Sequence, residues 1–301
     1  MSNIEQYNAQ FGIKGQVVFV DGSGGMPVAE IHNDLGEASL ALQGAHVLGF
    51  QAAGQQPLIW MSDEARFASG KSLRGGVPVC WPWFGPHATD ASLPGHGPAR
   101  TTQWVPVASE THPDGRTSMS FELLQDERVR EMCPHPLSVQ LHVTVGCDLL
   151  LELETTNLGD MPFTLGEALH TYFLVGDVRK VLIEGLDGCE YIDKMDGGAR
   201  RQQEGALGLV EETDRIYLGT GESCAILDST MGRRISIESR GSSSLVVWNP
   251  WEKSAEKMGD LGPDGYLRML CVETANAADD VVQLSPGATH CLVAAYSSRP
   301  L

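Results

Sequence analysis

No uninterrupted apolar run in the sequence approaches the roughly 20 residues that a membrane helix needs. The first sixteen residues, MSNIEQYNAQFGIKGQ, lack the basic and apolar regions of a signal peptide, so a soluble, cytoplasmic protein is expected. Positive charge is scarce: 21 Lys plus Arg stand against 39 Asp plus Glu, a formal net charge of −18. Such a field repels nucleic acid and anionic membranes, and neither is expected as a partner. An anionic ligand would need a few local arginines to overcome it.

Other absences narrow the chemistry. The seven cysteines form no CxxC pair, and Cys271 and Cys291 sit inside apolar, strand-like runs, which reads as buried free thiols in a reducing compartment. No HExxH, Cys/His cluster of zinc spacing, Asp/Asn-rich calcium loop or GxSxG elbow occurs. No GxGxxG follows a strand, and there is no P-loop. Neither a metal nor a cofactor is therefore expected. Helical periodicity is confined to two short stretches, Asn3–Gln10 and Asp63–Ala68.

What the chain has is alternation. Leu137 to Val145, LSVQLHVTV, is apolar at every odd position, and LLLELET at 149–155 repeats the pattern after a Gly-Cys-Asp turn. The two predict a hairpin. Further strand-like runs are Val17–Val20, Leu40–Gln51, Thr117–Leu124, Val181–Glu184, Ala225–Asp228, Ile235–Glu238, Ser244–Trp248, Leu267–Glu273 and Cys291–Ser297. Turn signals separate them, among them GSGG at 22–25, DGG at 196–198 and GPDG at 262–265. Strands without interleaved helices exclude a doubly wound sheet. The expectation is all-β: one large antiparallel β-sandwich domain over residues 1–301.

Three stretches could carry chemistry. Arg74–Arg100, RGGVPVCWPWFGPHATDASLPGHGPAR, holds five prolines and reads as a long structured loop. Its Trp81 and Trp83 could form a sugar platform or an aromatic plug closing one end of the sandwich. Arg74 and Arg100, in so acidic a chain, point to an anion. His170, in GEALHTYF, reads either as a core histidine or as a proton-transfer group. Glu273 ends the apolar run of RMLCVETAN and is either a solvated strand end or a carboxylate at a pocket mouth.

RGGVPVCWPWFG, HGPAR, LHTYF, ETDRIY, VVWNPW and CVETAN occur together and in this order. That ordered set, spanning about Gln16 to Ser297, resembles the D-hexose-6-phosphate mutarotases (glucose-6-phosphate 1-epimerases), a branch of the aldose 1-epimerases. The resemblance implies a galactose-mutarotase-like β-sandwich with a sugar phosphate bound on a concave sheet. It implies catalytic roles for His170 and Glu273, and substrate binding by Arg74, Arg100, Asp214, His96 and Trp248, with Trp81 and Trp83 helping to shape the pocket. Relatives often carry Gln just before the HG of HGxAR; Gly95 stands there in this chain. Two rival expectations are an aldose 1-epimerase for unphosphorylated sugars and a non-catalytic sugar-binding module.

Overall fold

The computed structural model of the chain describes residues 3–301. Antiparallel sheets dominate it. A nine-stranded sheet runs in the order Leu207–Gly208, Val181–Glu184, Ser223–Asp228, Arg233–Arg240, Thr289–Pro300, Leu149–Asn157, Leu137–Val145, Thr117–Leu123, Trp104–Thr111. An eight-stranded sheet has the order Ala199–Gln202, Glu190–Asp193, Thr213–Leu218, Ser244–Asn249, Met269–Asn276, Glu167–Leu169, Val79–Cys80, with Tyr172–Leu174 also paired to Met269–Asn276. The first four strands, Val17–Asp21, Pro27–Asn33, Gly36–Ala41 and His46–Ala52, form a sheet of their own.

Period-two patterning explains the layering. Leu137–Val145 and Leu149–Asn157 pair in full register, Leu137 opposite Asn157 and Val145 opposite Leu149, and alternate strictly between buried and half-buried positions. Their inward leucines and valines join Ile31 and Val47 of the four-stranded sheet and Leu169, Val247, Leu270 and Val272 of the eight-stranded sheet in one apolar cluster. Each such side chain stabilises the fold by roughly 1.5–3 kcal/mol on full burial.

Two expectations require correction. Asp63–Ala68 is not a helix but turn and irregular chain; six residues without an apolar stripe gain too little to offset nucleation. Leu40–Gln51 is not one strand but the end of Gly36–Ala41 and the start of His46–Ala52, separated by a turn. The turn, residues 42–45, is buried and reverses through positive φ at Gly44 and Ala45, so a single Gln-Gly pair is its only mark in an otherwise strand-like run.

Glu167 crosses the interior between the two large sheets. It is fully buried, and Thr155 donates to its Oε2 at 3.2 Å while accepting from Trp81 Nε1 at 3.1 Å. Oε1 has no hydrogen-bond partner, and His290 Nε2 stands 3.5 Å from it. Burial pushes the carboxyl up to about 8. The folded state thus keeps a proton that the unfolded chain releases at its ordinary carboxylate pKa, and this contribution to stability is lost as pH rises towards 8. Glu167→Gln, which mimics the protonated acid, is expected to flatten the fall in stability between pH 5 and 8 by on the order of 3 kcal/mol. Urea denaturation at the two pH values measures this. A wild type no more pH-sensitive than the variant contradicts it.

Candidate active site

The eight-stranded sheet places its functional side chains through alternation. On Met269–Asn276, Leu270 and Val272 face the sandwich interior, so Glu273 must face the other way. Register then sets its neighbours: Val246 lies opposite Glu273, and Trp248 lies opposite both Cys271 and Asp214. His170 follows the strand Glu167–Leu169 and is held by its backbone N–H on the Pro78 carbonyl at 3.0 Å. These residues line a pocket of about 280 Å³, closed on its other sides by Arg74, Phe84, His96, Arg100, Tyr172 and Lys194. Residues separated by up to 201 positions, from Ser72 to Glu273, thus line one pocket.

At the floor, His170 Nε2 is 3.4 Å from Glu273 Oε1. Glu273 is 1% exposed and His170 9%. Burial holds the Glu273 carboxyl well above its usual range, against the pull of Lys194 and Arg100. Burial likewise holds His170 well below the ordinary imidazole value, helped by His96, Arg100 and Arg74. The pair therefore shares one proton and does not stand as a solvated ion pair. Glu273 Oε2 and His170 Nδ1 are buried and carry no hydrogen bond, so each side chain keeps one polar atom unsatisfied. The imidazole is fixed by aromatic contacts. It stacks on Tyr172 at 5.1 Å and 13°, and meets Trp248 and His96 edge-on at 5.9 and 5.8 Å.

The cations differ in how they are paired. Arg74 Nε contacts Asp260 Oδ1 at 3.0 Å, and its Nη1 donates to the Tyr172 hydroxyl at 3.2 Å. Lys194 Nζ is 3.0 Å from Asp214 Oδ1 and lies over the Phe84 ring at 5.3 Å. Arg100 donates Nη2 to the Gly95 carbonyl at 2.9 Å and, among the described residues, has no carboxylate partner. The backbone at Gly95 thus steers Arg100, whatever the side chain there. His96 has positive φ (67°) and is pushed down to about 3 by burial, Arg100 and Lys194, so it enters the pocket uncharged.

All seven residues expected at the site line this pocket: His170, Glu273, Arg74, Arg100, Asp214, His96 and Trp248. The loop tryptophans do not. Trp81 is 1% exposed within the sandwich core, because its indole N–H finds Thr155 there. Trp83 donates to the Pro94 carbonyl at 3.0 Å and packs edge-on against His87, bracing the loop. Phe84 is the loop aromatic that reaches the pocket. Lys194 and Asp260 were not anticipated. Both sit in short polar turns, KMDGG and GDLGPDG, which carry no local signal beyond solvent exposure.

One group of three metal-type donors occurs among the described residues: His170, Cys271 and Glu273, with ligand atoms within 4.8 Å of one another. Burial raises the Cys271 thiol well above its usual value, so the sulfur is a protonated neighbour of the pair. The arrangement suits proton transfer to and from a small polar substrate, with cations available for an anionic substituent.

The family model for aldose 1-epimerase matches residues 27–297. A protein named "Putative glucose-6-phosphate 1-epimerase" from Escherichia coli (strain K12) is 39% identical over 244 residues, 81% of either chain. A protein of the same name from Salmonella typhimurium is 38% identical over 80% of each chain. Among solved structures, a "putative mutarotase (YeaD)" from Salmonella typhimurium superposes with a TM-score of 0.88 at 32% identity, covering 95% of this chain and 94% of that one.

Proposed function

The chain belongs to the aldose 1-epimerase family, and from that premise we propose that it interconverts the α and β anomers of D-glucose 6-phosphate and related hexose 6-phosphates, through a single β-sandwich domain in the cytoplasm. The observation that carries this reading is the buried pair His170–Glu273, 3.4 Å apart, in a pocket that also holds Arg74 and Arg100.

Anomer exchange requires loss of the C1 hydroxyl proton and gain of a proton by the ring oxygen. The ring opens to an aldehyde, the C1 carbonyl rotates, and reversed transfers close the ring on its other face. Opening starts from the form of the pair in which the one shared proton sits on His170: Glu273 then takes the hydroxyl proton as His170 passes its own to the ring oxygen. Their roles exchange on closure. One shared proton is the stock that such a cycle needs, and each positioned group contributes roughly 10²–10⁴-fold. Asp214 with Lys194 can bond sugar hydroxyls. In a −18 chain the phosphate must be held by short-range contacts, for which guanidinium forks are suited.

Saturation-exchange NMR tests the reading with glucose 6-phosphate, free glucose and free galactose. Faster exchange of the phosphorylated sugar is expected. Equal acceleration of the free sugars favours an epimerase for unphosphorylated aldoses, and no acceleration at all favours a binding module.

A further inference from the structure

We propose that His46, outside the pocket, is a positioning residue that holds the Arg74 and Arg100 backbones at the separation needed to share one phosphate; this rests on the phosphate reading above. The turn Arg74-Gly75-Gly76 presents three carbonyls, each taken by a different segment. Arg74 accepts from the Ser62 N–H at 3.1 Å, and Gly76 accepts from the Tyr172 N–H at 3.0 Å. Only Gly75 is held by a side chain: His46 Nε2 reaches its carbonyl at 2.8 Å. A carbonyl can only accept, so Nε2 carries the hydrogen.

The contact is steric as well as polar. Gly76 has φ +70°, and a Cβ there would lie 2.2 Å from His46 Nε2 and 2.4 Å from the Val47 carbonyl. The turn therefore rests on the imidazole ring. His46 is 1% exposed, and burial pushes it down to about 4, so the ring is a neutral donor at physiological pH.

The same short segment grips the other arginine. Gly44 donates its N–H to the Thr102 carbonyl at 2.8 Å. It lies so close to Arg100 that a Cβ would be 2.9 Å from the Arg100 carbonyl oxygen. Residues 44–46 thus clamp the two ends of a loop whose interior spans 25 residues. Without that clamp the guanidinium groups have no common footing, since Arg74 is steered by Asp260 and Arg100 by Gly95. The bond from His46 to Gly75 touches neither Glu273 nor His170 directly; His170 meets this loop through its backbone N–H on the Pro78 carbonyl, two residues beyond Gly76.

His46→Leu removes the donor at similar volume, whereas His46→Gln keeps an N–H able to reach the Gly75 carbonyl. The leucine variant is expected to raise KM for glucose 6-phosphate about tenfold with kcat changed less than about threefold, and to leave kcat/KM for free glucose nearly unchanged. Inhibition by inorganic phosphate should weaken by the same factor, and the glutamine variant should regain most of it. A folded leucine variant with unchanged KM, or with equal losses on both sugars, overturns the proposal. Should that variant not fold, ¹⁵N-histidine NMR of the wild type decides: saturating inorganic phosphate should shift the His46 Nε2–H resonance, and an unmoved signal overturns it. If the wild type itself prefers neither sugar and ignores phosphate, the phosphate reading fails first, which distinguishes the two failures.

Discussion

Glu273→Gln and His170→Asn are each expected to lower kcat for anomer interconversion by roughly 10²-fold or more, with substrate affinity and fold retained. Glutamine keeps the size and one hydrogen-bonding oxygen of Glu273 but accepts no proton. Asparagine keeps a polar group beside Tyr172 but cannot protonate a ring oxygen. Both substitutions replace groups that burial already holds away from charge, so folding should not suffer. Glu273→Gln even removes a titrating carboxyl from a buried site. Thermal melts establish the fold, and exchange NMR at saturating substrate gives kcat. Near-wild-type turnover in either variant would show that the residue does not carry the proton.

Arg100→Ala is expected to weaken use of hexose 6-phosphate by roughly 1.5–3 kcal/mol, about 10- to 150-fold in kcat/KM, while activity on free glucose changes much less. The geometry distinguishes the two arginines. Arg100 has no ion-pair partner among the described residues, so its charge is available to an incoming anion. Arg74 already spends its Nε on Asp260, a partner some 21% exposed, and its removal also strands that carboxylate. Arg74→Ala should therefore give a smaller discrimination between sugars than Arg100→Ala, together with a lower melting temperature. Loop carboxylates do not compete for either group: Asp90 is exposed and bonded to Ser92. Parallel losses on phosphorylated and free sugar in both variants would remove the phosphate from this end of the pocket.

The all-β class was legible because alternation is a local property. Nine residues such as LSVQLHVTV present one apolar face in any context that offers a core, and the hairpin of 137–145 with 149–157 formed as its pattern requires. The seven expected residues, all found lining the pocket, were named for another reason: they lie in short motifs whose ordered set resembles one family. Their convergence was not legible. Glu273 reads as a strand-end charge until Leu270 and Val272 are seen to claim the interior, which leaves the pocket side to it. Trp81 reads equally as platform or plug, and only the position of Thr155 on the facing sheet, within reach of its indole N–H, draws it inward. Lys194, Asp260 and His46 act through partners 20, 186 and 29 positions away respectively. No local pattern encodes such pairs, because a charge or imidazole acquires its role from what burial and strand register set beside it. Local patterning by itself marked the strongly alternating segments, such as 137–145 and 149–155, as strands; tertiary pairing decided where short strands such as Glu167–Leu169 and Tyr172–Leu174 formed and which side chains meet, since proximity across sheets depends on register and loop closure over long separations.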